Sequence, residues 1–222
     1  MKMERVSKDI LIFGAILCFL SGMLNAVTII KLSTGITYLS GNFSKLAIKT
    51  GSGYLIEVDY IIEIILCFFI GSIISGVIIG KREFSLKKRY GLIVIAIGWI
   101  ILSSHLILGN HKSFVLILSL VSGIQNGLFI TYKGIVVRTT HVTGGITDLG
   151  VSIGNYIRKK SCEIWKIEFQ FILLLGFFLG GVFGSFNCYY FNGDEYNILA
   201  FGYMVLGSSY FFWRRKYLKN NI

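Results

Sequence analysis

Proline is absent from all 222 residues, so breaks in a helical chain fall to its 26 glycines. Charge is scarce as well. Only 15% of residues are charged, with 11 acidic against 22 basic side chains and a net charge of +11. The four cysteines, Cys18, Cys67, Cys162 and Cys188, form no CxxC pair, which removes the thiol-redox and zinc-ribbon readings. Three of them sit in apolar runs, where cysteine behaves as a small hydrophobe. HExxH, GxSxG and Walker sequences are missing. The histidines, His105, His111 and His141, lie far apart in the expected topology and make no metal set. The sequence therefore nominates no catalytic residues, no metal ligands and no cofactor. It leaves a binding or transport protein as the leading class and an embedded enzyme or sensor as the other.

What is present is apolar sequence. The hydrophobic fraction is 54% and the mean hydropathy +0.71, more than a soluble domain of this size needs. Six runs approach the roughly 20 residues that cross a bilayer. They are Ile10–Ile30, Tyr60–Gly80, Tyr90–Leu108, Phe114–Tyr132, Ile167–Tyr189 and Ile198–Trp213, the last expected to start a few residues earlier. The N-terminal Lys2, Arg5 and Lys8 precede a run without a cleavage pattern, which reads as a retained first helix.

In such a chain the excess of basic residues reports topology rather than nucleic-acid binding. Lysine and arginine concentrate before span one, at Lys81–Arg89, between spans four and five, and after span six. The alternate loops hold only Lys31, Lys45, Lys49 and Lys112. This alternation predicts cytoplasmic N- and C-termini in a multi-pass cell-membrane protein.

The chain also repeats itself. Ser21-Gly22 and Asn25 match Ser122-Gly123 and Asn126 at an offset of 101, and Ser40-Gly41, Leu46 and Gly51 match Thr143-Gly144, Leu149 and Gly154 at 103. At an offset of 104, Ser72, Gly76 and Gly80 match Gly176, Gly180 and Gly184, and Gly98 matches Gly202. Small residues at this spacing predict close helix contacts in lipid. The expected fold is all-α and integral to the membrane, with residues 1–110 as repeat one and 111–222 as repeat two. Three spans per repeat would turn the second copy upside down, the architecture of many secondary transporters. Each long connection is expected to carry a Gly-broken signature and a short helix, Asn42–Lys49 and Thr147–Arg158.

Two blocks carry a family resemblance. Gly123 to Gly127 and Arg138 to Gly150 resemble the "GLQNA…RTTHVTGTLTDLG" pattern of the YoaK-like family of bacterial membrane proteins, the domain of unknown function 1275. Gly127 stands where Ala is usual and Gly145 where Thr is usual. Ser40-Gly41-Asn42 resembles the family's first-block "TGN", and Tyr38 stands where a His often precedes it. The resemblance implies this fold and little chemistry.

The candidate substrate-binding residues follow from the signatures. They are Asn25, Ser40, Gly41, Asn42, Gln125, Asn126, Arg138, His141, Thr143, Gly144 and Asp148. Asn25 and Asn126 lie about 22 Å and 18 Å into their spans by helical rise. Buried amides there bond the opposite signature or line a solute site. Ser40 and Thr143 are expected as N-caps, each offering free N–H groups to an anion or capping only its helix. Arg138, His141 and Asp148 are ionisable groups near membrane depth. The expected function is a permease for a small solute, with an anionic metabolite among the options, working by alternating access at the repeat interface. The expected partners are the lipid bilayer and that solute, with no nucleic acid, and a homo-oligomer is left open.

Overall fold

The computed structural model describes residues 2–56, 58–80, 87–128, 131–132, 135–136, 139–158, 164–191 and 195–219. Arg138 and residues 81–86 of the second basic loop lie outside them. Among the described residues there are eight helices: α1 (Lys2–Leu32), α2 (Leu39–Gly51), α3 (Val58–Ile79), α4 (Lys88–Leu108), α5 (Lys112–Leu128), α6 (Val142–Ile157), α7 (Ile164–Tyr190) and α8 (Glu195–Lys219). Four helical segments are long and apolar enough to cross a membrane: Asp9–Leu32, Val58–Ile79, Lys88–Leu108 and Ile164–Tyr190.

The fourth expected span is shorter than its sequence suggested. α5 has 17 residues and stops at Leu128 rather than Tyr132. Two short strands follow, β1 (Thr131–Tyr132) and β2 (Ile135–Val136), paired antiparallel as Thr131 with Val136 and Tyr132 with Ile135. The cause is local. Aromatic and β-branched residues on both sides of a two-residue Lys133-Gly134 segment favour a ribbon over continued helix. The last helix begins at Glu195, three residues before the apolar run.

Both short helices are present and longer than expected. α2 has 13 residues and α6 has 16. Ser40 and Thr143 are not their caps, which is a correction to the sequence reading. The N-cap positions belong to Tyr38 and His141, and neither side chain makes a cap hydrogen bond. Ser40 and Thr143 are exposed inside the first turns, where their carbonyls accept from Ser44 Oγ and Thr147 Oγ1, each at 3.0 Å.

Three long pairs build the bundle: α1 on α7, α3 on α5, and α4 on α8. α1 also meets α8, α4 meets α5, and the short helices rest on α3 and α7 respectively. Exchanging α1–α4 with α5–α8 in order returns the same set of contacts. α8 runs antiparallel to α1, pinned at both ends. Trp213 Nε1 donates to Asp9 Oδ2 at 2.6 Å, and Lys31 Nζ meets Glu195 Oε1 at 3.3 Å.

Glycines make the close approaches: in α7 they are those read off the sequence, Gly176, Gly180 and Gly184 against Ala15, Phe19 and Met23, and in α3 the register differs. A side chain at Gly180 would strike the Phe19 backbone, and one at Gly71 the Leu120 carbonyl. A side chain at Gly22 would strike the Phe177 carbonyl, and one at Gly123 the Phe68 carbonyl. Gly98 sits against Ala200 and Met204, and Gly207 against Gly91 and Ile95. These contacts match α3 with α7 and α4 with α8 at an offset of 109, as in Gly71 with Gly180 and Gly98 with Gly207. The offset of 104 is therefore corrected, and with it the role of Gly76 and Gly80, which have nothing within 4 Å of a built Cβ. Helical spacing alone cannot say which stripe faces a neighbour.

Leu17, Leu24, Val27, Val94, Ile101, Leu118 and Leu199 fill a continuous core. The outward faces of α3, α4, α7 and α8 stay apolar, with Val77, Trp99, Phe178 and Phe212 all exposed. An apolar rim around an apolar core is the pattern of helices that meet lipid rather than water.

Candidate functional site

The α6 start is organised by an aromatic ring folded back over a glycine. Thr139-Thr140 form a turn, the Val142 N–H donates to the Thr140 carbonyl at 3.1 Å, and the Gly145 N–H donates to the His141 carbonyl at 2.9 Å. A Cβ at Gly144 would meet the His141 imidazole where it now lies, so the glycine leaves room for that ring position. The α2 start repeats the device: a Cβ at Gly41 would collide with the Tyr38 ring. Both signature glycines therefore lie directly under a ring. Asn42 is buried, and its Nδ2 donates to the Gly35 carbonyl at 3.0 Å, which fixes the link between α1 and α2.

His141 and Asp148 share one small cavity of about 50 Å³, walled also by Thr139, Gln170 and Cys18. Thr139 Oγ1 and Gln170 Oε1 are buried there without a hydrogen-bond partner in the protein. Buried polar atoms are normally paired. A space of this size with unpaired acceptors suits one or a few waters, or a small polar group. The sequence reading missed Thr139 and Gln170. Thr139 lies inside the signature, and Gln170 is the lone amide early in an apolar run; both were legible signals.

The wall formed by Val142, Leu174 and Phe177 separates this cavity from a groove of about 920 Å³ between α1, α6 and α7. The groove is lined almost wholly by apolar side chains, with Asn25 among its few polar groups. Asn25 therefore faces the second signature helix, since Val142 and Ile146 line the same groove. The Oδ1 atoms of Asn25 and Asn126 are both buried and unpartnered, as are the Oγ atoms of Ser21 and Ser122. The positions matched in sequence at an offset of 101 thus carry two pairs of unsatisfied acceptors.

Gln125 is elsewhere. It is fully buried, its Nε2 donates to the Leu17 carbonyl at 2.9 Å, and its Oε1 accepts from the Tyr203 hydroxyl. One amide thus ties α1, α5 and α8 together in the core. Its bonding capacity goes to the protein, which makes it a structural clasp.

A second polar cavity, about 590 Å³, lies between α1, α2, α3 and α5. Asn42 lines it, together with Lys31, Lys45, Lys49 and Lys112. Along α1 the two polar cavities touch Lys31 and Cys18, about 20 Å apart by helical rise. Between them Leu20, Met23, Leu24 and Val27 are all buried. The predicted site residues therefore divide into the α2 cavity (Asn42), the small cavity (His141, Asp148), the groove (Asn25) and the core (Gln125). Among the described residues no cluster of His, Cys, Asp and Glu could hold a metal ion.

Comparison with known proteins gives a family and no relative of established activity. No curated protein and no solved structure matches the chain. A family model described as "Protein of unknown function (DUF1275)" matches residues 13–208, which include every residue of both signatures and of both polar cavities. By that match the chain belongs to the DUF1275 family.

Proposed function

We infer that the protein is a small-solute permease working by alternating access. The observation that carries this reading is the pair of polar cavities on α1, separated by a packed layer that contains Leu24 and Val27. Two chambers with a closed layer between them are what one occluding state of such a cycle requires. The exchange-symmetric contact set supports two repeats. α8, antiparallel along α1, and α5 would complete six spans. With three spans in each half the repeats are inverted, and solute sites of inverted-repeat transporters lie at the repeat interface. The alternation of basic loops supports cytoplasmic termini. On this reading the α2 cavity opens outward and the His141–Asp148 cavity opens toward the cytoplasm.

The test is uptake into proteoliposomes from a panel of small solutes. Asn126→Ala and Asp148→Asn should impair uptake of the transported solute while the protein keeps its thermal stability. Parallel loss of stability and uptake would make these residues structural and remove them from the site. An embedded enzyme is the second reading, because Cys18, His141 and Asp148 line one cavity. A nucleophile and base in contact would be its requirement. Unchanged solute flux in Cys18→Ala would leave the permease reading standing.

A further inference from the structure

The α2 cavity collects the wrong charge for its side of the membrane. The loops on the basic-poor side of the chain contain four basic residues, Lys31, Lys45, Lys49 and Lys112. All four line this one cavity. They come from α1, α2 and the start of α5, so neighbouring positions in sequence do not explain the gathering. Topology does not explain it either, because that side disfavours lysine.

The surroundings fit an anion. Among the described lining residues none is acidic. Lys31 is engaged by Glu195. Lys112 Nζ sits 5.4 Å above the Tyr60 ring, whose hydroxyl donates to the Lys112 carbonyl at 3.3 Å, so this ammonium is held at the wall. Asn42 is fixed by Gly35 and adds an amide. Ser33, also in the lining, has φ 53, the only positive φ at a non-glycine among the described residues. Backbone held in that region concentrates at ligand sites. The matching position in the other half sharpens the point: at the offset of 103, Lys45 corresponds to Asp148. A purely structural repeat has no need to place opposite charges at equivalent positions of its two cavities.

We propose that the cavity between α1, α2, α3 and α5 binds an oxyanion, a phosphate-type group held by Lys45 and Lys112. A volume of about 590 Å³ admits a metabolite-sized molecule or the headgroup of an anionic lipid. The proposal concerns equilibrium binding and stands whether or not the protein moves a solute, so failure of uptake leaves it untouched.

The experiment is a titration of purified full-length protein in phosphatidylcholine nanodiscs with inorganic phosphate, at ionic strength held constant with chloride, read as thermal stability. A parallel arm replaces part of the phosphatidylcholine with phosphatidylglycerol. A saturable rise with phosphate identifies a soluble ligand; a rise with phosphatidylglycerol alone identifies a lipid headgroup. Either supports the site if the double variant Lys45→Gln/Lys112→Gln weakens it by about tenfold or more, the effect of losing charge-assisted bonds. The control, Lys216→Gln/Lys219→Gln, makes the same charge change on α8 and should leave binding unaltered. No saturable effect from either anion, or an equal loss in the control, overturns the proposal.

Discussion

The starts of α2 and α6 use one backbone device for two different chemistries. In each, a ring at the N-cap folds over a glycine three residues on: Tyr38 over Gly41, His141 over Gly144. Beyond that the two diverge. The α2 helix borders a wide cavity with four lysines, and the α6 helix borders a narrow one with His141, Asp148 and unpaired acceptors. The two helix starts share a backbone arrangement, while the side chains facing the cavities differ in charge and size.

The contact between the halves breaks most easily at its glycines. Gly180→Leu should cost about 3 kcal/mol or more, because the side chain meets Phe19 backbone that cannot move aside. Gly76→Leu, facing open space at the same helical spacing, should be nearly silent. Thermal unfolding in detergent of the two variants decides between the contact register described here and the one the sequence suggested.

The core clasp gives the cleanest cycle. Gln125→Leu should cost about 1–3 kcal/mol by leaving the Tyr203 hydroxyl unpaired and removing the added bond to the Leu17 carbonyl. Adding Tyr203→Phe should recover part of that loss. Additive losses in a double-mutant cycle would show that the two side chains are not coupled.

Ring seating comes next. Gly144→Val and Gly41→Val should each lose about 1 kcal/mol or less by turning the exposed His141 or Tyr38 ring aside. A solute site at the α6 cavity adds that Gly144→Val impairs uptake more than its stability loss explains, whereas equal losses would assign the motif to folding alone.

The helices were legible because apolar runs and basic loops are long-range signals that tolerate small errors. The first repeat blocks were legible because Asn25 and Asn126, and Gly41 and Gly144, keep both spacing and identity. The 104 offset misled because Gly76 and Gly80 copy the four-residue spacing of Gly180 and Gly184, whereas the packing on α5 uses Gly71. The N-caps misled because Ser40 and Thr143 are common capping types, whereas here a folded-back ring marks the helix start. Gln125 and Asn126 are adjacent in sequence, yet helical rotation sends one into the core clasp and leaves the other half-buried with an unpaired oxygen. The lysine cavity was hidden because its members come from separate segments that only the fold assembles.

The central claim is that the two halves lie inverted, with their cavities reached from opposite faces of the membrane. Single cysteines at Lys45 and Asp148, introduced after the native cysteines are replaced, can be probed in intact cells with a membrane-impermeant maleimide. The account predicts that Lys45→Cys is labelled from outside and that Asp148→Cys is labelled only after the membrane is permeabilised. Labelling of both from the same side would contradict the inverted arrangement.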